Sequence, residues 1–376
     1  MKKIRWKFLI AATLIFVLIT SVAVYAATST LFTFADAGNR GNFDMDMSGY
    51  RTEGTPGVYA IHSYVYKDAF NKDLQKNYMG FVSTSSPYNV ASVAQLNECT
   101  AYTDPILGEL RWCHEVPTMS WNPILKEWVC FWMSYPRSTE SSGDLHFELG
   151  WLAKKTMDNT ANSYPEPDTA TLSTKETRLF YGTMYDDRLE SSTGAWAQET
   201  PYLLTVPGNK YIMYSEPGAI YDSDGTLYMS ITGMWLDNGV AQGDVILIKS
   251  TDDGDTWTYV SLLLEPADAG YINSAYKFFT ASSLYKAADG SFRIIVSPQT
   301  EWRFYAGLRE FKFSSLSSGI LVESSGHPVL QFSYATSTWI FNHNGGGCFS
   351  PVTNHRTYEK GSIFSQITFK VYDYAP

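Results

Sequence analysis

The chain is poor in several things at once. Of its 376 residues only four are cysteines, Cys99, Cys113, Cys130 and Cys348, and none are spaced C-x-x-C. This argues against a structural zinc site. Charged residues make up only 18%, which does not suit a disordered chain. No long segment has helical periodicity, which argues against a helical bundle. The chain contains no G-x-S-x-G elbow, no H-E-x-x-H pair, no phosphate-binding glycine loop and no dinucleotide fingerprint. Asp222-Ser-Asp-Gly and Asp252-Asp-Gly-Asp lack the ligand spacing and terminal Glu of a calcium loop, and read as turns.

Acids are absent from residues 1–27, where Lys2, Lys3, Arg5 and Lys7 precede a 17-residue apolar run, Phe8–Val24, and the small residues Ala26 and Ala27. This is the pattern of an export signal, with an uncleaved anchor as the alternative. From residue 28 onward 24 basic residues face 38 acidic ones, a net charge near −14. That sign argues against a nucleic-acid partner and against docking on anionic lipid. The expected location is secreted or periplasmic, with no stable membrane association after cleavage. In an oxidising compartment the four cysteines allow three full pairings. In one of them Cys99–Cys113 closes a short loop and Cys130–Cys348 ties an early segment to the last.

What the chain has is aromatic residues: 26 Tyr, 21 Phe and 11 Trp. They fall in short strand-like segments separated by turn signals, such as 58–66, 78–84, 128–134, 145–153, 211–214, 227–232, 244–249, 257–265, 292–297, 304–313 and 362–372. The expectation is an all-β fold: sandwich, barrel or propeller. Residues 28–56 read as an N-terminal arm and 156–178 as a surface loop.

One turn narrows the choice. Ser250-x-Asp252-x-Gly254-x-Thr256-Trp257 resembles the Asp box, which joins the third and fourth strands of a blade in sialidase-type β-propellers. In it Asp252 accepts backbone N–H groups, Gly254 takes positive φ and Trp257 packs against an adjacent sheet. The box implies a fold, not a reaction. A repeated grammar of polar cluster, apolar strand, turn and second strand begins near His62, Glu115, Glu216, Thr280 and Asn342. We therefore expect a β-propeller over 57–376, five-bladed, with six blades as second choice.

Residues at such openings line the funnel of a propeller. Glu216-Pro-Gly-Ala-Ile-Tyr resembles the E-G-P opening of five-bladed arabinanase/xylosidase-type glycosidases, with Pro and Gly exchanged. Glu115-Val-Pro-Thr resembles their D-P openings, with Glu for Asp. Asn342-His343-Asn344-Gly345 is similar to their last-blade G-H-N motif. The resemblance implies Glu216 as general acid and Glu115 as its partner carboxylate. It implies His62, His114, Thr280, Asn342 and His343 as substrate-binding candidates, and admits a calcium ion near the axis. Asp44 and Asp46 are the acids nearest a first-blade position. A glycosidase needs two carboxyl groups of unlike protonation across the scissile bond, about 6.5–9.5 Å apart if inverting. The expected partner is a carbohydrate and the expected state a monomer.

Three other readings stand beside this one. A sialidase needs three arginines and an Arg-Ile-Pro motif that this chain lacks. Arg111, Arg178, Arg188, Arg303, Arg309 and Arg356 are its candidate arginines. A polysaccharide lyase would use His62, His114, Tyr276 and Arg303. A non-catalytic propeller would bind glycan or protein through its aromatic face and would need only aromatic and amide groups.

Overall fold

The computed structural model describes the chain in stretches from 30 to 181, almost continuously over 204–334, and in two strands beyond. Side chains are described chiefly over 108–133 and 204–331. Every sheet is antiparallel and nearly every strand lies beside its neighbour in sequence.

Strand β1 (Thr30–Ala35) stands apart from the strands that follow it. The next four, β2 (Gly41–Arg51), β3 (Gly57–Lys67), β4 (Asp73–Ser83) and β5 (Val90–Gln95), form a sheet in chain order. So do β6 (Ala101–Asp104), β7 (Gly108–Asn122), β8 (Glu127–Ser138), β9 (Trp151–Asp158) and β10 (Leu172–Tyr181). The third sheet is β11 (Met213–Tyr221), β12 (Leu227–Asp237), β13 (Val240–Ser250) and β14 (Thr258–Leu264).

A short helix, α1 (Pro266–Ile272), leads to the fourth sheet. That sheet runs β15 (Phe278–Lys286), β16 (Phe292–Glu301), β18 (Leu308–Ser315) and β19 (Ile320–Leu321), with β17 (Phe304–Tyr305) on β16. A two-stranded ribbon, β20 (Glu323–Ser324) and β21 (His327–Pro328), precedes β22 (Leu330–Tyr334), which pairs with β18. Finally β23 (Cys348–Phe349) and β24 (Gln366–Val371) join β1, so the first described strand pairs with the last.

The third sheet explains the strong apolar content. In β13 both faces are buried, because a sheet stands on each side. Ile246 and Ile248 point into one core with Val129, Phe131 and Trp257. Val245 and Leu247 point into another with Phe279, Ile294 and Phe311. Alternation of period two thus separates two cores rather than core from solvent. Each such side chain contributes about 1.5–3 kcal/mol on burial. The strands facing one another are β2 with β7, β7 with β11, and β11 with β15.

Several expectations change here. Residues 28–56, read as an arm, contain β1 and β2, both paired in sheets. The supposed loop 156–178 contains the start of β10, paired with β9. His62 is not at an opening: it lies inside β3, opposite Met45 and Tyr78. No disulfide joins the described cysteines. Cys113 and Cys130 are buried on neighbouring strands, but Cys130 faces Met119 and Cys113 faces Tyr135. The side chains of Cys99 and Cys348 lie outside the described residues, as do residues 1–27.

Candidate functional site

The strands that face one another share an irregularity. In β2 the register with β3 breaks between Phe43 and Met45, and again between Met47 and Gly49. In β7 it breaks between Glu115 and Thr118, in β11 between Ser215 and Gly218, and in β15 between Thr280 and Ser283. The bypassed residues are Asp44 and Ser48 in β2, Val116-Pro117 in β7, Glu216-Pro217 in β11 and Ala281-Ser282 in β15. Proline at the second bypassed position of β7 and β11 has no N–H to give the ladder, which favours the break.

At the β11 break the backbone of Glu216 is left-handed, with φ +58°, and at the β15 break Ala281 has φ +48°. Neither is glycine, so both conformations are imposed by the surroundings. Glu216 is 9% exposed. Its Oε2 accepts the backbone N–H of Ala281 at 2.7 Å. Its own N–H points at Met133 Sδ at 3.1 Å, and Ser215 Oγ donates to the same sulfur at 3.4 Å. Glu216 is therefore tied to the sheet before it and the sheet after it. Gly218 allows this approach: a Cβ there would lie 2.4 Å from the Ser282 carbonyl oxygen and 2.5 Å from Ser283 Cα.

The facing strands are joined below the break in the same way. Thr118 Oγ1 accepts the N–H of Ala219, and Ser120 Oγ accepts that of Tyr221. Small hydroxyl side chains of one strand thus satisfy amides of the next.

Glu115 sits opposite Met133, whose sulfur meets Glu216, so the two predicted carboxylate positions occur at the same level of neighbouring strands. The side chain of Glu115 lies outside the described residues, as do those of His62, Asp44 and Asp46. Thr280 is buried at the β15 break and receives the Thr232 hydroxyl at 3.4 Å. His114 is buried with its ring edge-on to Trp132, centroids 6.3 Å apart. Asn342 and His343 lie outside the described residues. Among the described residues no group of three or more His, Cys, Asp or Glu side chains is gathered for a metal.

Residues 250–257 connect β13 to β14, the third and fourth strands of their sheet. Asp252 Oδ1 accepts Ser250 Oγ at 2.7 Å and the Thr256 N–H at 2.8 Å, and Oδ2 accepts Thr256 Oγ1 at 2.5 Å. Burial pushes this carboxyl upward, but the bonds from Thr256 and Ser250 outweigh it and hold it below the ordinary aspartate value. Gly254 has φ +86°, and its carbonyl accepts Trp257 Nε1 at 3.1 Å. Trp257 is 1% exposed and meets Phe131 of the preceding sheet edge-on.

Several interactions carried no signal in the sequence. Tyr211 donates its hydroxyl to buried Asp244 at 2.7 Å, and burial together with that carboxylate pushes the phenol far up. Glu310 accepts Tyr285 Oη and Arg293 Nη1, each at 2.7 Å, inside the fourth sheet. Arg309 lies over the Tyr276 ring, 5.2 Å from its centroid, and donates to its hydroxyl. Arg111 lies 3.6 Å from Glu109 on β7, a different sheet from Arg309. Arg178, Arg188, Arg303 and Arg356 have no described side chains.

No family model and no curated protein matches this chain. Solved structures do resemble it. The family 117 glycoside hydrolase Zg3597 of the marine bacterium Zobellia galactanivorans is 9% identical, covering 91% of this chain and 90% of its own, with a TM-score of 0.47. The Bombyx mori GH32 β-fructofuranosidase BmSUC1 is 13% identical over 88% of this chain and 59% of its own, TM-score 0.41. The Hadza microbial sialidase Hz136 is 11% identical over 76% of this chain, TM-score 0.41, and this chain spans only 47% of that protein's length.

Proposed function

We propose that the chain is an exported, five-bladed β-propeller that hydrolyses glycosidic bonds of a poly- or oligosaccharide with a pair of carboxyl groups, acting as a monomer. One observation carries the reading. Acids lie at or directly beside the register breaks of three successive facing strands: Asp44 in β2 and Glu216 in β11 are bypassed, and Glu115 is the last paired residue before the break in β7. Bulges re-aim side chains and occur often beside active sites. In the proposed reaction Glu216 gives a proton to the glycosidic oxygen as the anomeric C–O bond breaks. Glu115 takes a proton from the water whose oxygen bonds to the anomeric carbon.

A second reading has an observation of its own. The Glu216 carboxyl already accepts the Ala281 N–H. A carboxyl held in this way can serve the architecture alone, which favours a glycan-binding propeller without catalysis.

One experiment separates the two. The exported protein is assayed on a broad glycan panel beside Glu216→Gln and Glu115→Gln. The hydrolase reading expects release of sugar by the parent and a loss of at least about 100-fold in both folded variants. Binding without release supports the second reading. An ultraviolet-absorbing unsaturated product indicates a lyase and overturns the carboxylate pair.

A further inference from the structure

Away from the register breaks, the described residues contain one exposed aromatic ring set on a built support. Helix α1 follows β14 and leads into β15, so it lies at the end of the sheets where β15 begins. Tyr271 on this helix is 62% exposed. One face of its ring is stacked on His327, with centroids 3.9 Å apart and planes 16° from parallel. His327 comes from the ribbon β20–β21, which packs against α1. Its Nδ1 lies 3.0 Å from Asp268 Oδ1. Asp268 is buried, and its Oδ2 accepts the N–H of Glu265 at the start of the helix at 3.0 Å. The chain of support runs from helix cap to carboxylate to imidazole to phenol ring. Tyr271 stays 62% exposed although its ring is stacked on His327.

A water-exposed tyrosine normally samples several rotamers. Here the stacking on His327 restrains the ring, and a restrained ring loses less entropy on binding. A flat, restrained aromatic face beside amides and hydroxyls suits the apolar face of a sugar ring, whose hydroxyl groups then reach polar neighbours. Asn273 and Ser274, which follow α1, and Ser324 and Ser325, in the ribbon that carries His327, are exposed and polar. The acids of the cluster, Glu265, Asp268 and Glu323, disfavour a uronate or other anionic glycan.

We propose that Tyr271, backed by His327, is a stacking platform for a neutral glycan chain, at the end of the sheets where β15 begins and outside the register-break site. The proposal rests on the reading of the protein as glycan-active. It assigns that activity a neutral polymer, held at a second point as well as at the break.

The test is migration of the full-length protein in native gels containing neutral polymers (arabinan, xylan, mannan, mixed-linkage glucan) or uronate polymers (pectate, alginate). Small aryl glycosides are assayed in parallel. The expected result is retardation by a neutral polymer. Tyr271→Ala weakens it roughly three- to tenfold and Tyr271→Phe retains it, while both variants melt with the parent. Equal retardation of parent and Tyr271→Ala overturns the platform. So does retardation by uronate polymers alone, or a loss in Tyr271→Ala that tracks a fall in melting temperature. Cleavage of an aryl glycoside together with either of the first two results leaves the glycosidase reading intact and removes only the platform. Absence of both retardation and cleavage removes both.

Discussion

The backbone N–H of Ala281 donates to Glu216 Oε2 at 2.7 Å, so an amide at the register break of one strand is satisfied by the carboxyl group at the break of its neighbour. Both residues are left-handed. The bond therefore joins two strained turns that belong to different sheets.

Substitutions at Glu216 should separate this structural bond from chemistry. Glu216→Gln keeps an oxygen to accept the Ala281 N–H and should cost under about 1 kcal/mol. Glu216→Ala leaves that amide without this acceptor and should cost about 1–3 kcal/mol. Urea unfolding of the two variants gives the difference. Equal losses would mean that the bond contributes nothing measurable.

The close approach of β11 and β15 makes a paired prediction about small residues. Gly218→Ala puts a methyl group against backbone atoms of Ser282 and Ser283, which cannot rotate away. Overpacking of this kind costs about 1–3 kcal/mol. Ala281→Gly does the reverse, relieving a left-handed alanine while keeping its N–H, and should stabilise by up to about 1 kcal/mol. Melting temperatures should move in opposite directions.

Tyr211→Phe removes the hydroxyl that reaches Asp244, a residue only 1% exposed. Loss of one donor to a buried carboxylate should destabilise by about 1–3 kcal/mol. The variant should keep the unfolding slope of the parent, since the ring itself stays packed against Gly233.

Alkaline pH should act through Tyr214. Burial pushes its phenol up to about 12 from the ordinary value of 10.0. A raised folded-state value means that the folded protein holds the proton more tightly than the unfolded chain. The contribution is complete below pH 10 and is lost as pH rises toward 12. Over that window it amounts to roughly 2 kcal/mol. In Tyr214→Phe the fall in stability between pH 10 and 12 should be shallower, as read by unfolding at fixed pH. An unchanged slope would assign the alkaline transition to other groups.

Trp257→Ala should be among the costliest single changes in the third sheet. The indole is 1% exposed, meets Phe131 of the neighbouring sheet and donates to the Gly254 carbonyl. Removing a large buried aromatic costs about 3–5 kcal/mol. Trp257→Phe should recover part of the packing but not the indole hydrogen bond.

Much of the local structure was legible. Segments 227–232, 244–249 and 292–297 are strands because β-branched and aromatic residues dominate them, and β12, β13 and β16 contain them. The hydrogen bonds around Asp252 could be read because donor, acceptor and glycine all lie within eight residues. Glu216 was legible as part of a strand segment, but the structure places it inside β11, three residues after the strand begins at Met213. His62 was not, because its own segment reads equally well as a first or a second strand. The role of residues 41–51 was equally hidden: their Gly, Asp and Asn content reads as loop until β3 pairs with them.

The sequence by itself determined the short antiparallel strands, the polar turns between them and the bonding within the 250–257 turn, because each depends on residues close together in the chain. Only the tertiary structure decided which acids share a level, that Ala281 serves Glu216, that Met133 stands between the Glu115 and Glu216 positions, and that His327 backs Tyr271. Each of these joins segments between 56 and 101 residues apart or sets the register of one sheet against the next. A one-residue change of register would turn every side chain of a strand to the other face without altering its local pattern. The information that fixes register is therefore in the packing of the sheets, where Gly218 admits the close approach of β15 and β13 divides its side chains between two cores.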